Sequence, residues 1–313
     1  MFRIYEALIT ATAIFALAST AFAQAAAKAP ESKLFDAGKL LEDIRTLSAD
    51  DMDGRSGERP TMAKARAYVM KRFAEAEIKP IGPAYEQEFE IRGRGQSGAI
   101  KGVNFVGSIR GKTKADKYIV ITAHYDHLGV RNGQVFNGAD DNASGTAALF
   151  AIASYFKKNQ PDHSLIFVAL DAEEKGLLGA SHFVANPPVA KAAIVLNVNM
   201  DMISRNDKRE LYATGTRLYP QLKPALEKVQ KTASVKLLLG HDDPSTGRDD
   251  WTDQSDQAAF HAAKIPFIYF GVEDHKDYHK STDDFASIQP DFYVKAVETI
   301  TEALKELDHA LTK

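Results

Sequence analysis

The 313-residue sequence contains no cysteine. That excludes a disulfide framework and thiol chemistry, so any metal must be held by His, Asp and Glu. Charge of one sign is also missing: 39 Lys and Arg stand against 42 Asp and Glu, for a formal net charge of −3. A near-neutral chain of this kind offers no basic footprint for nucleic acid. Beyond residue 23 there is no apolar run of the ~20 residues that a membrane span needs.

What is there starts with an apolar N-terminus. Residues 7–18 followed by Ala21-Phe22-Ala23 read as a secretory signal with a small-x-small cleavage site. The expected organisation is a signal peptide over 1–23, a short tail over 24–32 and one domain over 33–313. The product is expected to be periplasmic or secreted, monomeric, and without stable membrane association once the signal is cleaved.

Apolar runs at 118–123, 165–170, 193–198 and 266–270 read as buried strands. Helical patterns at 142–158, 176–185, 220–232, 256–263 and 290–311 alternate with them. Two further helices are expected at 33–50 and 60–78, and strands at 89–91, 103–109 and 235–238. This alternation predicts an α/β fold with a mixed, mostly parallel central sheet and helices on both faces.

Polar residues cluster just after the strand patterns, where open α/β sheets gather ligands. His124 and Asp126 follow 118–123; alternate residues of an extended segment share a face, so Asp126 can accept the second ring N–H of a ligating His124. Asp140-Asp141 opens the helix from 142, either as helix caps or with one carboxylate between two cations ~3.5–4 Å apart. Of Glu173 and Glu174, one can ligate while the other serves as general base; a solvated acidic turn is the plain alternative. Asp201 ends an apolar strand, where an acid is costly unless paired or on a metal. His279 lies in the loop after the last strand and is preferred to His275 as a ligand. His127 can line the site, and Trp251 and Asp256 are placed near the cleft, within an acidic stretch from 241 to 256.

In this order the motifs resemble the co-catalytic zinc exopeptidases of metallopeptidase family twenty-eight, secreted aminopeptidase type. The matching pieces are Ala123-His124-Tyr125-Asp126-His127-Leu128-Gly129, Asn137-Gly138-Ala139-Asp140-Asp141-Asn142-Ala143-Ser144-Gly145, Asp171-Ala172-Glu173-Glu174-Lys175-Gly176, Asn199-Met200-Asp201-Met202-Ile203 and Tyr278-His279 with Asp283. Asp53-Gly54-Arg55 looks like the family's N-terminal segment. The resemblance implies two Zn2+ per chain, one on His124, Asp140 and Asp201, the other on Asp140, Glu174 and His279. Asp140 would be shared, Glu173 would be the general base, and Asp126 would hold His124. A cis peptide between Asp140 and Asp141 is also implied, as is Tyr278 beside the substrate. The implied substrates are peptides with a free N-terminus. A dipeptide carboxypeptidase, a glutaminyl cyclase and a non-catalytic peptide-binding relative are the alternatives. No inserted protease-associated domain fits between residues 104 and 118.

Overall fold

In the computed structural model, residues 30–91 and 99–312 are described. The expected signal peptide and most of the 24–32 tail lie outside the described residues. Helices α1 (Ala37–Leu47) and α2 (Met62–Glu75) precede strands β1 (Lys79–Pro80), β2 (Glu86–Ile91), β3 (Ile100–Ile109) and β4 (Lys114–His124). A small hairpin of β5 (Gly129–Arg131) and β6 (Gln134–Phe136) leads to α3 (Gly145–Lys158), β7 (His163–Leu170), α4 (Leu178–Ala185) and β8 (Ile194–Met200). Then come β9 (Glu210–Thr214), α5 (Lys223–Gln230), β10 (Lys236–Leu239), α6 (Gln257–Ala262), β11 (Phe267–Gly271) and α7 (Pro290–Thr312).

Nine strands form one sheet in the order β1-β3-β7-β4-β8-β11-β9-β10, with β2 also on β3. Its centre, β7-β4-β8-β11, is parallel, and so is β9-β10; β3 joins β7 and β9 joins β11 antiparallel. The sheet is thus mixed, with parallel pairing where the site lies.

Period-two alternation decides what each face buries. Ile119, Ile121 and Ala123 of β4 face a core shared with α1, α2, α3 and α7. Val120 of β4 and Ile166, Val168 and Leu170 of β7 face the opposite layer, where Phe183 of α4 and Phe260 of α6 cover them. The chain leaves β4 through α3 to reach β7 on one side, then passes through α4 to β8 on the other. The strand order therefore reverses at β4, and its carboxyl end opens into the crevice where α/β sheets bind ligands. Among the described residues no helix is long and apolar enough to cross a membrane.

The helix expected from 142 begins at Gly145 instead. The Asn142 side chain accepts the Gly145 N–H at 2.8 Å and donates to Met200 O at 2.9 Å, so the preceding turn is tied to β8.

Candidate metal centre

Strand ends deliver most of the polar groups. His124 ends β4; Glu173 and Glu174 form a short turn after β7; Asp201 follows β8; the loop after β11 brings in His275, Tyr278 and His279. Asp140 and Asp141 sit in the irregular turn Ala139–Ser144 that precedes α3.

Asp141, not Asp140, occupies the shared position. Its Oδ1 lies 3.3 Å from His124 Nε2, which is also 3.3 Å from Asp201 Oδ1. Its Oδ2 lies 3.1 Å from His279 Nε2 and 3.8 Å from His127 Nδ1. Glu174 closes this second group, with Oε1 2.8 Å from His127 Nδ1 and Oε2 3.4 Å from His279 Nε2. Two sets of ligand atoms fall within 4.8 Å of one another: His124, Asp141 and Asp201, and His127, Asp141 and Glu174.

Asp140 is turned away from both sets. Its Oδ1 accepts the N–H and Oγ–H of Ser204, each at 2.7 Å, and its Oδ2 is 3.0 Å from His275 Nε2. The cause is the backbone of the turn. Asp141 leaves helical geometry at φ −104° and ψ 97°, so adjacent side chains diverge. The carboxylate of Asp283 fixes that geometry by accepting the main-chain N–H of Asp140 and of Asp141, both at 3.0 Å. The cis peptide lies one bond further on than expected, between Asp141 and Asn142.

Asp126 is in the site, and its carboxylate pairs with His124 at ion-pair range, Oδ1 lying 3.7 Å from Nδ1, while the hydrogen bond from that nitrogen goes to its main chain. The strand ends at His124 and the chain turns, so the strict alternation of an extended segment stops there. The Asp126 main-chain oxygen accepts His124 Nδ1–H at 3.1 Å, while its carboxylate takes the N–H groups of Glu173 at 3.0 Å and Glu174 at 3.3 Å. A carbonyl only accepts, so Nδ1 carries the hydrogen and Nε2 is left as the ligating atom. Asp126 thereby fixes two groups at once: its backbone sets the His124 tautomer and its side chain sets the turn that carries both glutamates.

His127, expected on the cleft wall, is buried beneath it, with its main-chain N–H on Arg55 O at 3.2 Å. Asp256 is also buried below the cleft rather than lining it, and neither of its carboxylate oxygens has a hydrogen-bond partner. Trp251, Tyr278, Glu173, Glu174, Asp201 and His279 do line the cleft, a cavity of about 300 Å³.

The charges act on one another strongly. Burial alone would push the Asp141 carboxyl up, but His127, His124 and His279 hold it well below the usual range. In the same way His127 and His279 outweigh burial at Glu174 and bring it to about 2. Burial would lower His124, yet Asp201 and Glu173 raise it well above its ordinary value. Glu173 goes the other way: burial, then Asp256, Asp201 and Asp126, push its carboxyl well up against the pull of His124.

Several supporting residues have no role in the sequence reading, Arg55 being marked there only as part of a motif. Arg55 is wholly buried and donates only to main-chain oxygens: Leu47 and Asn137 at 2.6 Å, Tyr125 and Gly138 at 2.8 Å. It ties the His124–His127 segment to the loop that leads into Asp141. Its turn needs glycine, because Gly54 has φ +63° and a Cβ there would lie 2.6 Å from Gly129 O. Ser255 donates to Asp201 Oδ2 at 2.7 Å, and Asn199 in turn donates to Ser255 Oγ at 3.0 Å.

The donor set suits a metal. It is all nitrogen and carboxylate oxygen, which zinc accepts. His127 Nδ1, His127 Nε2 and Glu174 Oε1 are buried without a hydrogen-bond partner, a costly arrangement for polar atoms unless something else engages them.

Comparison with known proteins agrees. A family model described as Peptidase family M28 matches residues 104–304. A probable zinc metalloprotease of Pyrenophora teres f. teres is 32% identical over 152 residues, 46% of this chain and 32% of that protein. Aminopeptidase YwaD of Bacillus subtilis is 30% identical over 213 residues, 65% of this chain and 44% of that protein. These matches span less than half the length of either relative. Among solved structures, BSAP, a zinc aminopeptidase from Bacillus subtilis, superposes with a TM-score of 0.69 at 18% identity, covering 87% of this chain and 96% of that one. A Porphyromonas gingivalis glutaminyl cyclase gives 0.70 at 17% identity, covering 88% and 99%. With the family model running from β3 into α7, across every strand end that carries a candidate ligand, the chain belongs to peptidase family M28.

Proposed function

We propose that this chain is an exported aminopeptidase that holds two zinc ions and removes N-terminal residues from peptides. The observation that carries this reading is the Asp141 carboxylate, one oxygen turned to His124 and the other to His279. His124, Asp141 and Asp201 would hold one ion, and Asp141, Glu174 and His279 the other. Bound there, zinc would polarise the scissile carbonyl and activate water.

The remaining work falls to the chain itself. Glu173 lines the same cleft as Asp141, Glu174, Asp201 and His279. Its burial, with Asp256, Asp201 and Asp126 close by, raises its proton affinity well above that of an ordinary carboxylate, which suits a group that must take up a proton. Glu173 takes a proton from the attacking water and returns it to the leaving amine. The cleft is lined by Asp253 and Asp274 as well as the inner acids, and among the described residues no Lys or Arg lines it. That field favours a substrate with a cationic α-amine. Trp251, Tyr269 and Val272 supply apolar wall for the first side chain. Export, to the periplasm or beyond, rests on the signal pattern of residues 1–23, and the enzyme works as a monomer.

Glutaminyl cyclases share the fold, so the fold does not choose between the two chemistries. A panel of aminoacyl anilides, N-blocked anilides and N-terminal glutaminyl peptides, each with and without chelator, does. Chelator-sensitive cleavage of free-amine substrates alone is the expected result. Cleavage of blocked substrates only, or ring closure without cleavage, overturns the aminopeptidase reading.

A further inference from the structure

We propose that His127 is a ligand of the second metal ion, giving that site two histidines and two carboxylates. The proposal rests on the two-metal reading above and adds to it a residue that reading does not use.

Three observations converge. First, the distances fit a shared centre. Bonds of ~2.0–2.1 Å to a tetrahedral ion place neighbouring ligand atoms about 3.3 Å apart. Around the second group the separations are 2.8 Å for His127 Nδ1 to Glu174 Oε1, 3.1 Å for His279 Nε2 to Asp141 Oδ2 and 3.4 Å for His279 Nε2 to Glu174 Oε2. His127 Nδ1 to Asp141 Oδ2 is 3.8 Å. The first group shows the same spacing, 3.3 Å from His124 Nε2 to both Asp141 and Asp201.

Second, His127 Nδ1 and Glu174 Oε1 are close but not hydrogen-bonded: both atoms are buried and partnerless. A histidine–carboxylate pair that existed for its own sake would align the N–H on the oxygen. Atoms that approach off that line are directed at a third point instead.

Third, the ring is fixed where it stands. The main-chain N–H of His127 donates to Arg55 O, which fixes the backbone that carries the ring, and the ring packs against the Asn137–Asp141 turn so closely that a Cβ on Gly138 would lie 2.5 Å from its Cγ. His279, by contrast, is 40% exposed on a loop. The buried histidine would anchor the second ion while the exposed one closes over it from the cleft side. The site would then be four-coordinate from protein atoms alone, unlike the first, where His124, Asp141 and Asp201 leave a position open.

The test counts and weighs metals directly. Metal-free full-length protein, wild type and His127→Gln, is titrated with zinc against a chromophoric chelator, and melting curves without metal confirm folding. The expected result is two ions in the wild type, and in the variant an unchanged first ion with the second weakened about 100-fold or more. X-ray absorption on the zinc-loaded wild type needs no variant: three imidazoles shared over two ions support the assignment, two overturn it. A variant that binds both ions as tightly as wild type also overturns it. A wild type that takes up only one ion overturns the two-metal reading itself, a different outcome from either.

Discussion

Asp140 is locked to Ser204: one carboxylate oxygen takes both the main-chain N–H and the hydroxyl of that serine at 2.7 Å. This contact explains why two neighbouring aspartates have separate duties. Asp140 binds the turn to the segment after β8, while Asp141 faces the two ligand groups. The two asparagine variants should therefore diverge. Asp141→Asn removes the shared carboxylate, and metal content measured after dialysis should fall for both ions, with activity lost alongside. Asp140→Asn keeps an oxygen for Ser204, so it should retain metal and lose about 1–3 kcal/mol of stability from the weakened charge-assisted bonds. If Asp140→Asn strips the metals and Asp141→Asn does not, the placement is reversed.

Glu173→Gln tests the base. The amide keeps the size of the side chain and its place in the turn, whose N–H is held by Asp126. Turnover should drop about 10²–10⁴-fold with KM and bound metal near wild-type values. The acid limb of the kcat/KM profile in the wild type should lie above the ordinary carboxylate range, because burial and the neighbouring acids raise the group. An acid limb near pH 4, or a variant with normal turnover, removes Glu173 from the role.

Apolar runs announced β4, β7, β8 and β11, and position after those runs marked His124, Glu173, Glu174 and Asp201. Nothing in the string distinguished Asp140 from Asp141, since their difference lies in backbone angles set by Asp283, over 140 residues away. The hairpin β5–β6 was missed although Asn132-Gly133, both at positive φ, is a strong two-residue hairpin signal. Strand β9 is short and follows the charged Asn206-Asp207-Lys208-Arg209 turn, so its period was hidden. Arg55 could be noted as a motif, but its four carbonyl partners come from three separate segments that only the fold brings together.

Metal uptake at the second group should release protons. Burial lowers His279, but hydrogen bonds to Asp141 and Glu174 more than reverse that and carry it to about 10. A raised value means that the proton stabilises the fold fully below the ordinary 6.5, and that this contribution is lost as pH passes through about 10. Between those limits an incoming ion must displace the proton, so apparent affinity should climb by up to about tenfold per pH unit. Calorimetry at pH 8 in two buffers of different ionisation enthalpy measures the release directly. His279→Asn should eliminate one released proton; identical heats in the two buffers for the wild type would contradict the linkage.

Asp256 presents the opposite case, a carboxylate that the metal-free fold holds at a cost. Both its oxygens are buried without a hydrogen-bond partner, and burial, with Asp201 and Asp126 against the pull of His124, raises it to about 8. Because the folded value lies above the unfolded 3.8, the stability tied to its proton is complete below about pH 4 and is lost as pH rises through about 8. Asp256→Asn removes the charge and keeps the shape. In metal-free protein the variant should melt at the same temperature as wild type at pH 4 and at a clearly higher one at pH 9. A variant that melts lower at pH 9 would mean that the ionised carboxylate is stabilised by its surroundings, so that the acid works as a charge and not as a buried proton carrier.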